Sequence, residues 1–424
     1  MSKNQEDKVF IGRTSGFIKL PVYIPGEVRR SHMLLVGMTG SGKTTSLRTL
    51  ILQDVNAKKS VLIVDGKGDL DLISHIKREK KYILFSSAPI GNCTFNPLLG
   101  EVHEVINNFF IACAEKFEQP YFREFARSLM TGYLLLAKHY GEKPNFTDLY
   151  LMASHIEPFR EKITAVEDVK IRRIFSSVLD MKVKEYRENH SGLAAVLSNI
   201  VSSPWLSFLE SRDDLPELNI DELGQEEPAF HYVGLQKLSN LESSGLVGRL
   251  LLLKLGNVSA RRAATGIRPK YNDSIFAYID ELHGVAYLGM ESLVQVARST
   301  RIAMTFATQT LSDLNCVSPD FKQQILTNTA CKIVHLQNSA QDAEAWAKHY
   351  GDESFFKKKG KGLGFLSFLA GSPFQTNTMP ERKEERVWSI EPNTFKNLKR
   401  GEAIVEIIFP TKKVIKKVNV AAVS

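Results

Sequence analysis

The sequence predicts an α/β fold, a mainly parallel sheet interrupted by an inserted all-α block. Three observations lead to it. Short apolar runs of strand length recur at Met33–Val36, Ser60–Val64 and Ile275–Ile279, as in strands buried on both faces. Helical periodicities alternate with them, which is the pattern of a parallel sheet. Between about Glu101 and Leu209 the strand signals stop and long helical spacings take over.

Taken in chain order, Val9–Ile11 and Phe17–Tyr23 read as short strands, ended by Pro25 and Gly26. Met33–Val36 runs into Gly37 and then a helix from about Lys43 to Val55. Strands follow at Ser60–Val64, closed by Asp65, and at Tyr82–Phe85. In the helical block, Ile106, Phe109, Phe110, Cys113 and Phe117 share one spacing, and Phe125, Leu129, Tyr133 and Leu136 another. The aromatic cluster Phe109, Phe110, Phe117, Tyr121, Phe122 and Phe125 therefore reads as core packing, not as a nucleic-acid platform. Thr147 is expected to cap a helix there. The sheet resumes at Ala229–Val233, with a helix from about Ser244 to Ala263. Strands are then expected at Ile275–Ile279, Ala303–Ala307 and Lys332–Leu336, with shorter ones at Phe365–Leu369, Val387 and Ala403–Ile408.

Composition bounds the function. The chain has 424 residues, 43% hydrophobic and 24% charged, which suits one large domain or one domain with an insertion. No run approaches the roughly 18 apolar residues of a membrane-spanning helix, and the polar start MSKNQEDKVF has no signal-peptide core. A cytoplasmic protein is expected. Cys93, Cys113, Cys316 and Cys331 form no CxxC pair and read as free thiols. The net charge of +8 is carried by the C-terminal segment, where residues 355–424 hold fourteen Lys+Arg against six Asp+Glu. Such a segment, with its cluster Lys357-Lys358-Lys359-Gly360-Lys361, could face phosphate or simply be solvated.

The sharpest signal is Gly37-Met38-Thr39-Gly40-Ser41-Gly42-Lys43-Thr44, a complete GxxxxGK[ST] loop between an apolar strand and an amphipathic helix. The glycines let backbone N–H groups turn inward around phosphates, and the helix N-terminus adds its positive end. Lys43 would reach the β- and γ-phosphates of ATP, and the Thr44 hydroxyl would ligate Mg2+. With Thr45, these residues form the expected nucleotide site.

A phosphate cradle needs a carboxylate on a neighbouring strand. Ile275–Ile279 ends in Asp280-Glu281. Asp280 would hold Mg2+ through water, and Glu281 would polarise the attacking water. Gln309, after the strand Ala303–Ala307 and Thr308, can contact the γ-phosphate or the lytic water. Arg298 and Arg301, on the preceding helix and turn, read by themselves either as solvated charges or as an arginine that stabilises transition-state charge in a neighbouring subunit.

The ordered set His32–Thr45, Asp65-Gly66-Lys67-Gly68-Asp69, Phe95-Asn96-Pro97-Leu98, Tyr278-Ile279-Asp280-Glu281 and Ala307–Leu314 resembles the type IV secretion coupling proteins of the TraD/TraG kind, within the HerA/FtsK superfamily. The later Thr327–Val334 and Asp342-Ala343-Glu344 fit as well, so the resemblance runs from about residue 8 to 410. It implies a RecA-like P-loop domain, with residues 1–100 and 211–424 as its two parts and 101–210 as an inserted all-α domain. It implies Lys43 and Thr44 on ATP–Mg2+, Asp280 and Glu281 as the acidic pair, Gln309 as sensor and Arg298 as an arginine acting on a neighbouring subunit. It further implies a homo-hexamer with DNA in its channel, and relaxosome or secretion-channel proteins as partners. Two departures stand out. Gly66 and Asp69 replace the usual Pro and Glu of the Asp-x-Lys-Gly motif. Family members usually begin with transmembrane helices and this sequence shows none, so the expectation is either docking on a partner at the inner membrane or a soluble task.

Three functions follow. The leading one is a motor or recruiter for DNA or nucleoprotein in conjugative type IV secretion. The others are a HerA-like DNA-processing ATPase and an ATPase adaptor that recruits protein cargo without pumping DNA. The large helical block favours the first or the third.

Overall fold

The computed structural model describes residues 8–76, 81–85, 91–117, 119–224, 227–236, 241–265, 274–315, 317–318, 320–357 and 383–421, with side chains left out over 352–387. The expected strands at Phe365–Leu369, the cluster Lys358–Lys361 and Cys316 lie outside the described residues.

The chain opens with a hairpin, β1 (Lys8–Thr14) and β2 (Pro21–Pro25), then a turn of helix α1 (Gly26–Arg29). β3 (Met33–Val36), α2 (Lys43–Asn56), β4 (Ser60–Asp65), α3 (Leu70–His75) and β5 (Lys81–Phe85) alternate as expected. Helices then dominate: α4 (Val102–Ala112), α5 (Pro120–His139), α6 (Phe146–Ser154), α7 (Arg160–Ala165), α8 (Val169–Leu179), α9 (Val183–Val201) and α10 (Leu206–Leu209). Alternation resumes with β6 (Phe230–Gly234), α11 (Leu241–Ala264), β7 (Ile275–Ile279), α12 (Met290–Ala297), β8 (Ile302–Thr308), α13 (Phe321–Asn328), β9 (Cys331–Val334) and α14 (Ala340–Tyr350). The end comprises β10 (Asp352–Lys357), β11 (Lys383–Trp388), α15 (Pro392–Lys396), β12 (Glu402–Ile408) and β13 (Lys413–Val420).

Among the described residues, eleven strands form one sheet in the order β2-β1-β13-β12-β9-β3-β8-β7-β4-β6-β5. From β9 to β5 every pairing is parallel, and β12, β13, β1 and β2 extend the sheet antiparallel. β10 and β11 pair apart from it. β3, β4, β6, β7, β8 and β9 are buried along their whole length because both faces are covered, while the edge strand β5 is half-buried at Lys81 and Tyr82. Alternate residues of β3 serve opposite cores. Leu34 and Val36 face the helical block with α11 and α12, while Met33 and Leu35 face α2.

The first core continues from the sheet into the helical block without a break. α4 packs on α11, and Phe109 and Phe110 are buried between them and the neighbouring helices. Full burial of one such side chain stabilises by about 1.5–3 kcal/mol. Phe117 is buried too, but Tyr121 is 63% exposed, so the aromatic run is core only in part.

Local corrections have plain causes. The second strand begins at Pro21, not Phe17, because Thr14 and Leu20 close a turn that leaves Phe17 and Ile18 exposed. Asn145, not Thr147, caps α6: its side-chain oxygen accepts from Asp148 N at 2.7 Å. Thr147 lies inside the helix and donates its hydroxyl to Glu210 at 2.8 Å. β13, paired on both sides by β1 and β12, escaped sequence reading because KVIKKVNV carries three lysines on a largely solvated strand, two of which pair with Glu402 and Glu406 of β12. Among the described residues no helix is long and apolar enough to cross a membrane.

Candidate nucleotide site

Parallel registry aligns the C-terminal ends of the central strands. Val36 of β3 pairs with Thr308 of β8, Phe306 with Ile279 of β7, and Ile279 with Val64 of β4. Gly37, Gln309, Asp280 and Asp65 therefore emerge along one edge of the sheet. This edge is where open α/β sheets bind ligands.

The loop after β3 is shaped by space and backbone angle. A Cβ on Gly37 would lie 2.6 Å from both the His335 Cβ and the Ser41 Oγ. Gly42 has φ +111°, and a Cβ there would meet the Gly401 backbone at 3.0 Å. Ser46, in the first turn of α2, shares a 2.8 Å hydrogen bond with His335 Nε2, and His335 Nδ1 bonds the Glu402 carbonyl at 3.0 Å. The loop is thus held against β12, an antiparallel strand far away in sequence.

Lys43 is buried at 4% exposure, yet its Nζ makes no hydrogen bond among the described residues; the Ser41 hydroxyl, also buried, makes none either. The Lys43 Nζ lies 3.5 Å from Asp280 Oδ1 and 3.6 Å from Glu281 Oε1. A buried ammonium without a hydrogen-bond acceptor among the described residues, at the N-terminus of α2, fits a polyphosphate. Thr44 is exposed beside a cavity of about 390 Å³ that Asp65, Lys67, Arg48 and Asp280 also line. Thr39 lies within the loop, its Oγ1 3.5 Å from Gln309 Oε1, and Thr45 follows the loop. A larger cavity, about 650 Å³, lies apart from this site between α4, α11 and Glu217.

Glu281 is the hub. Gln309 Nε2 donates to both its carboxylate oxygens at 3.2 Å, Lys67 Nζ stands 3.1 Å from Oε1, and His283 Nδ1 is 3.6 Å from Oε2. Its backbone is left-handed, φ 53° and ψ 51°, a strained state for a residue with a side chain. Burial opposes its charge, but Lys43 and Lys67 prevail and hold the carboxyl down at about 2. Asp280 goes the other way. Burial raises its pKa against the pull of Lys43, and the nearby Asp65 and Glu281 add to the rise. Asp280 Oδ1 also accepts the Glu281 N–H at 3.0 Å. No group of three metal-ligating side chains occurs among the described residues. A Mg2+ here would take Thr44 and Asp280, with phosphate oxygens and water completing its shell, as is usual for this ion.

The structure thus brings Lys43, Thr44, Asp280, Glu281 and Gln309 together. It does not bring Arg298 to them. Arg298 is exposed at the C-terminal end of α12, before β8 begins, and seven residues of strand, about 20 Å, separate that end of β8 from Gln309. Arg301 sits in the same turn with φ 59°. Sequence reasoning missed three participants. Asp65 accepts the Tyr232 hydroxyl at 2.6 Å and the Lys67 N–H at 2.9 Å; Lys67 reaches Glu281; His335 backs the P-loop. The Asp65–Asp69 motif was the visible signal for the first two. His335 carried none.

A RecA-like sheet with a complete P-loop and an acidic pair two strands away defines the class as a P-loop nucleotide-binding protein. The chain belongs to the family of the type IV secretion-system coupling protein DNA-binding domain, whose profile matches residues 18–418. Among solved structures it is similar to the bacterial conjugative coupling protein TrwBdeltaN70, unbound (TM-score 0.68, 15% identity, 95% of this chain and 88% of that one). It is also similar to plasmid coupling protein TrwB in complex with ADP and Mg2+ (TM-score 0.67, 17% identity, 96% and 88%). A third is VirB4 of Thermoanaerobacter pseudethanolicus (TM-score 0.59, 14% identity, 99% of both chains). At these identities the likeness is one of fold. No curated protein sequence matches the chain.

Proposed function

We propose that the chain is an ATP-hydrolysing coupling protein that recruits or moves DNA for conjugative type IV secretion. Membership of the coupling-protein family supports the task. The observation that carries the enzymatic part is the buried Lys43 ammonium without a hydrogen-bond acceptor, 3.6 Å from a Glu281 that cations keep ionised. In this reading the Gly37–Thr45 loop cradles the phosphates of ATP, and Lys43 neutralises the β- and γ-phosphates. Thr44 and Asp280 hold Mg2+, which when bound offsets charge on the phosphate oxygens. Glu281 orients and polarises the attacking water, and Gln309, bonded to Glu281 and close to Thr39, couples that carboxylate to the loop.

Residues 1–100 and 211–424 would form the motor and 101–210 the inserted domain that recognises cargo. A homo-hexamer with DNA in its channel, and relaxosome or channel proteins as partners, belong to the same proposal. TrwB structures with ADP and Mg2+, with a non-hydrolysable ATP analogue and with a non-hydrolysable GTP analogue support a nucleoside phosphate in this site.

The test is ATP binding and turnover of the wild type and Lys43→Ala, each with and without DNA of unrelated sequences at several salt concentrations. The wild type should hydrolyse ATP faster with DNA, with binding that weakens steeply as salt rises. Lys43→Ala should lose turnover and bind nucleotide weakly. A wild type that hydrolyses ATP but neither binds DNA at low salt nor responds to it would replace the motor with the protein-recruiting adaptor.

A further inference from the structure

The segment Asp65-Gly66-Lys67-Gly68-Asp69 stands out in the sequence, and the reaction outlined above gives Lys67 no part. Its backbone is pinned at both ends. Asp65 Oδ1 accepts the Lys67 N–H at 2.9 Å, and Asp65 Oδ2 accepts the Tyr232 hydroxyl at 2.6 Å. The same hydroxyl accepts the Asp69 N–H at 2.5 Å. The Asp69 carboxylate is gripped by Arg48 through bonds of 2.6 and 2.5 Å, and it caps α3 through Leu72 N. What is left free to move is the Lys67 side chain, 54% exposed on a flexible four-carbon stem.

That side chain ends 3.1 Å from Glu281 Oε1, the same oxygen that lies 3.6 Å from the Lys43 Nζ. Two ammonium groups therefore share one carboxylate oxygen, at the mouth of a loop shaped for phosphates. Like charges so placed repel, and here the attraction of both to the carboxylate between them offsets that repulsion. A terminal phosphate entering beside Lys43 would be a second and more highly charged one, within reach of the same lysine.

We propose that Lys67 is a reader of the terminal phosphate: it rests on Glu281 in the nucleotide-free site and moves its ammonium to the γ-phosphate oxygens when a nucleoside triphosphate binds. The exchange releases Glu281 from one of its two lysines while Gln309 keeps it aimed. A diphosphate lacks the group that draws Lys67 away, so the lysine stays on the carboxylate. The device makes the site distinguish ATP from ADP and ties the freeing of the water-activating carboxylate to the presence of the bond to be broken. It rests on the reading of this site as an ATP site.

The test is equilibrium binding, not turnover. Affinities for Mg–ADP and for a non-hydrolysable Mg–ATP analogue are measured by calorimetry on the full chain, for the wild type, Lys67→Met and Lys67→Arg. Loss of one charge-assisted contact should weaken the analogue about tenfold in Lys67→Met and ADP less than about twofold. Lys67→Arg should retain most of the discrimination. Equal losses for both nucleotides, or none for either, overturn the proposal. Lys67→Gln supplies the same reading should the Met variant precipitate. Lys43→Ala is the control that separates the two levels. If it binds both nucleotides like the wild type, the ATP-site reading itself fails. If it loses both while Lys67→Met keeps the wild-type ratio, only the role of Lys67 falls.

Discussion

Arg29 and Asp54 meet in a two-point ion pair beneath the P-loop helix, with Nη1–Oδ1 at 2.8 Å, Nη2–Oδ2 at 2.5 Å and both side chains fully buried. The Tyr278 hydroxyl joins them, donating to Asp54 at 2.5 Å and accepting from Arg29 at 2.9 Å. Phe276 lies under the guanidinium, 4.6 Å from its ring centroid. Tyr278 precedes Asp280 by two residues on β7, so the pair ties α1 and α2 to the strand that carries the acidic residues.

Asp54→Leu or Arg29→Met alone leaves a buried charge without its partner and should destabilise the protein by about 3–5 kcal/mol. The double variant should recover much of the loss. Denaturant unfolding of the three variants measures this. Burial pushes the Asp54 carboxyl up, but Arg29 and Lys59 prevail and hold it below its ordinary value of 3.8. A depressed carboxyl stabilises above its unfolded pKa and ceases to as pH falls through the folded one. The gap between wild type and Asp54→Leu should therefore be full at neutral pH and close only below about pH 4.

The left-handed backbone at Glu281 gives a second expectation. Glu281→Ala and Glu281→Gly both lose the carboxylate, so they differ only in strain and chain entropy. Gly should be the more stable of the two by about 1 kcal/mol, read by thermal unfolding. Both should lose turnover by about 10²–10⁴-fold, as should Glu281→Gln, which should still bind Mg–ATP. A Glu281→Gln variant that fails to bind nucleotide would make the residue structural.

Four buried histidines, His32, His190, His231 and His335, are all lowered in pKa by burial and set an acid limit. Burial lowers His32 and His335 to about 4 and His231 to about 3. Backbone acceptors at Val294 and Glu402 oppose the shift at the first two. Among the described residues neither ring nitrogen of His231 has a hydrogen-bond partner, and its ring meets Tyr82 edge-on at 5.0 Å. Between the unfolded value of 6.5 and these folded values the unfolded chain binds more protons. Stability should therefore fall as pH drops from about 6.5 towards 4, by up to about 1.4 kcal/mol per pH unit for each histidine. His231→Leu, which removes an unsatisfied buried ring, should flatten this limb and be stabilising at pH 5. Unfolding curves at pH 5 and 7 decide it.

Arg298 lies far from the nucleotide site of its own chain, which suits a part played in a neighbouring subunit. Arg298→Ala should lower turnover without lowering ATP affinity. Mixed with Lys43→Ala in rings that exchange subunits, it should regain activity wherever an intact P-loop faces an intact Arg298. No recovery at any ratio removes the role in a neighbour, and Arg301, in the same turn, becomes the candidate.

The sequence by itself determined what depends on neighbours in the chain. Gly37–Thr44 is one contiguous loop whose glycines, lysine and threonine act through local backbone geometry, and the apolar runs before it and before Asp280 are strands because they are buried on both faces. The P-loop motif, the acidic pair beside it and the alternating sheet were legible for that reason. The position of the capping residue of α6 was not, because Asn145 and Thr147 are both able to cap and only the Glu210 side chain, 63 residues on, claims the Thr147 hydroxyl. Tertiary structure alone decided how the site is wired. Parallel registry carries Lys67 to Glu281 across more than two hundred residues and sets His335 against Ser46, while packing of α1 and α2 against β7 buries Arg29 on Asp54 beside Tyr278. It also keeps Arg298 at the far end of β8. Those relations depend on which strand lies beside which, and strand order arises from packing between distant segments, which no local pattern of residues encodes.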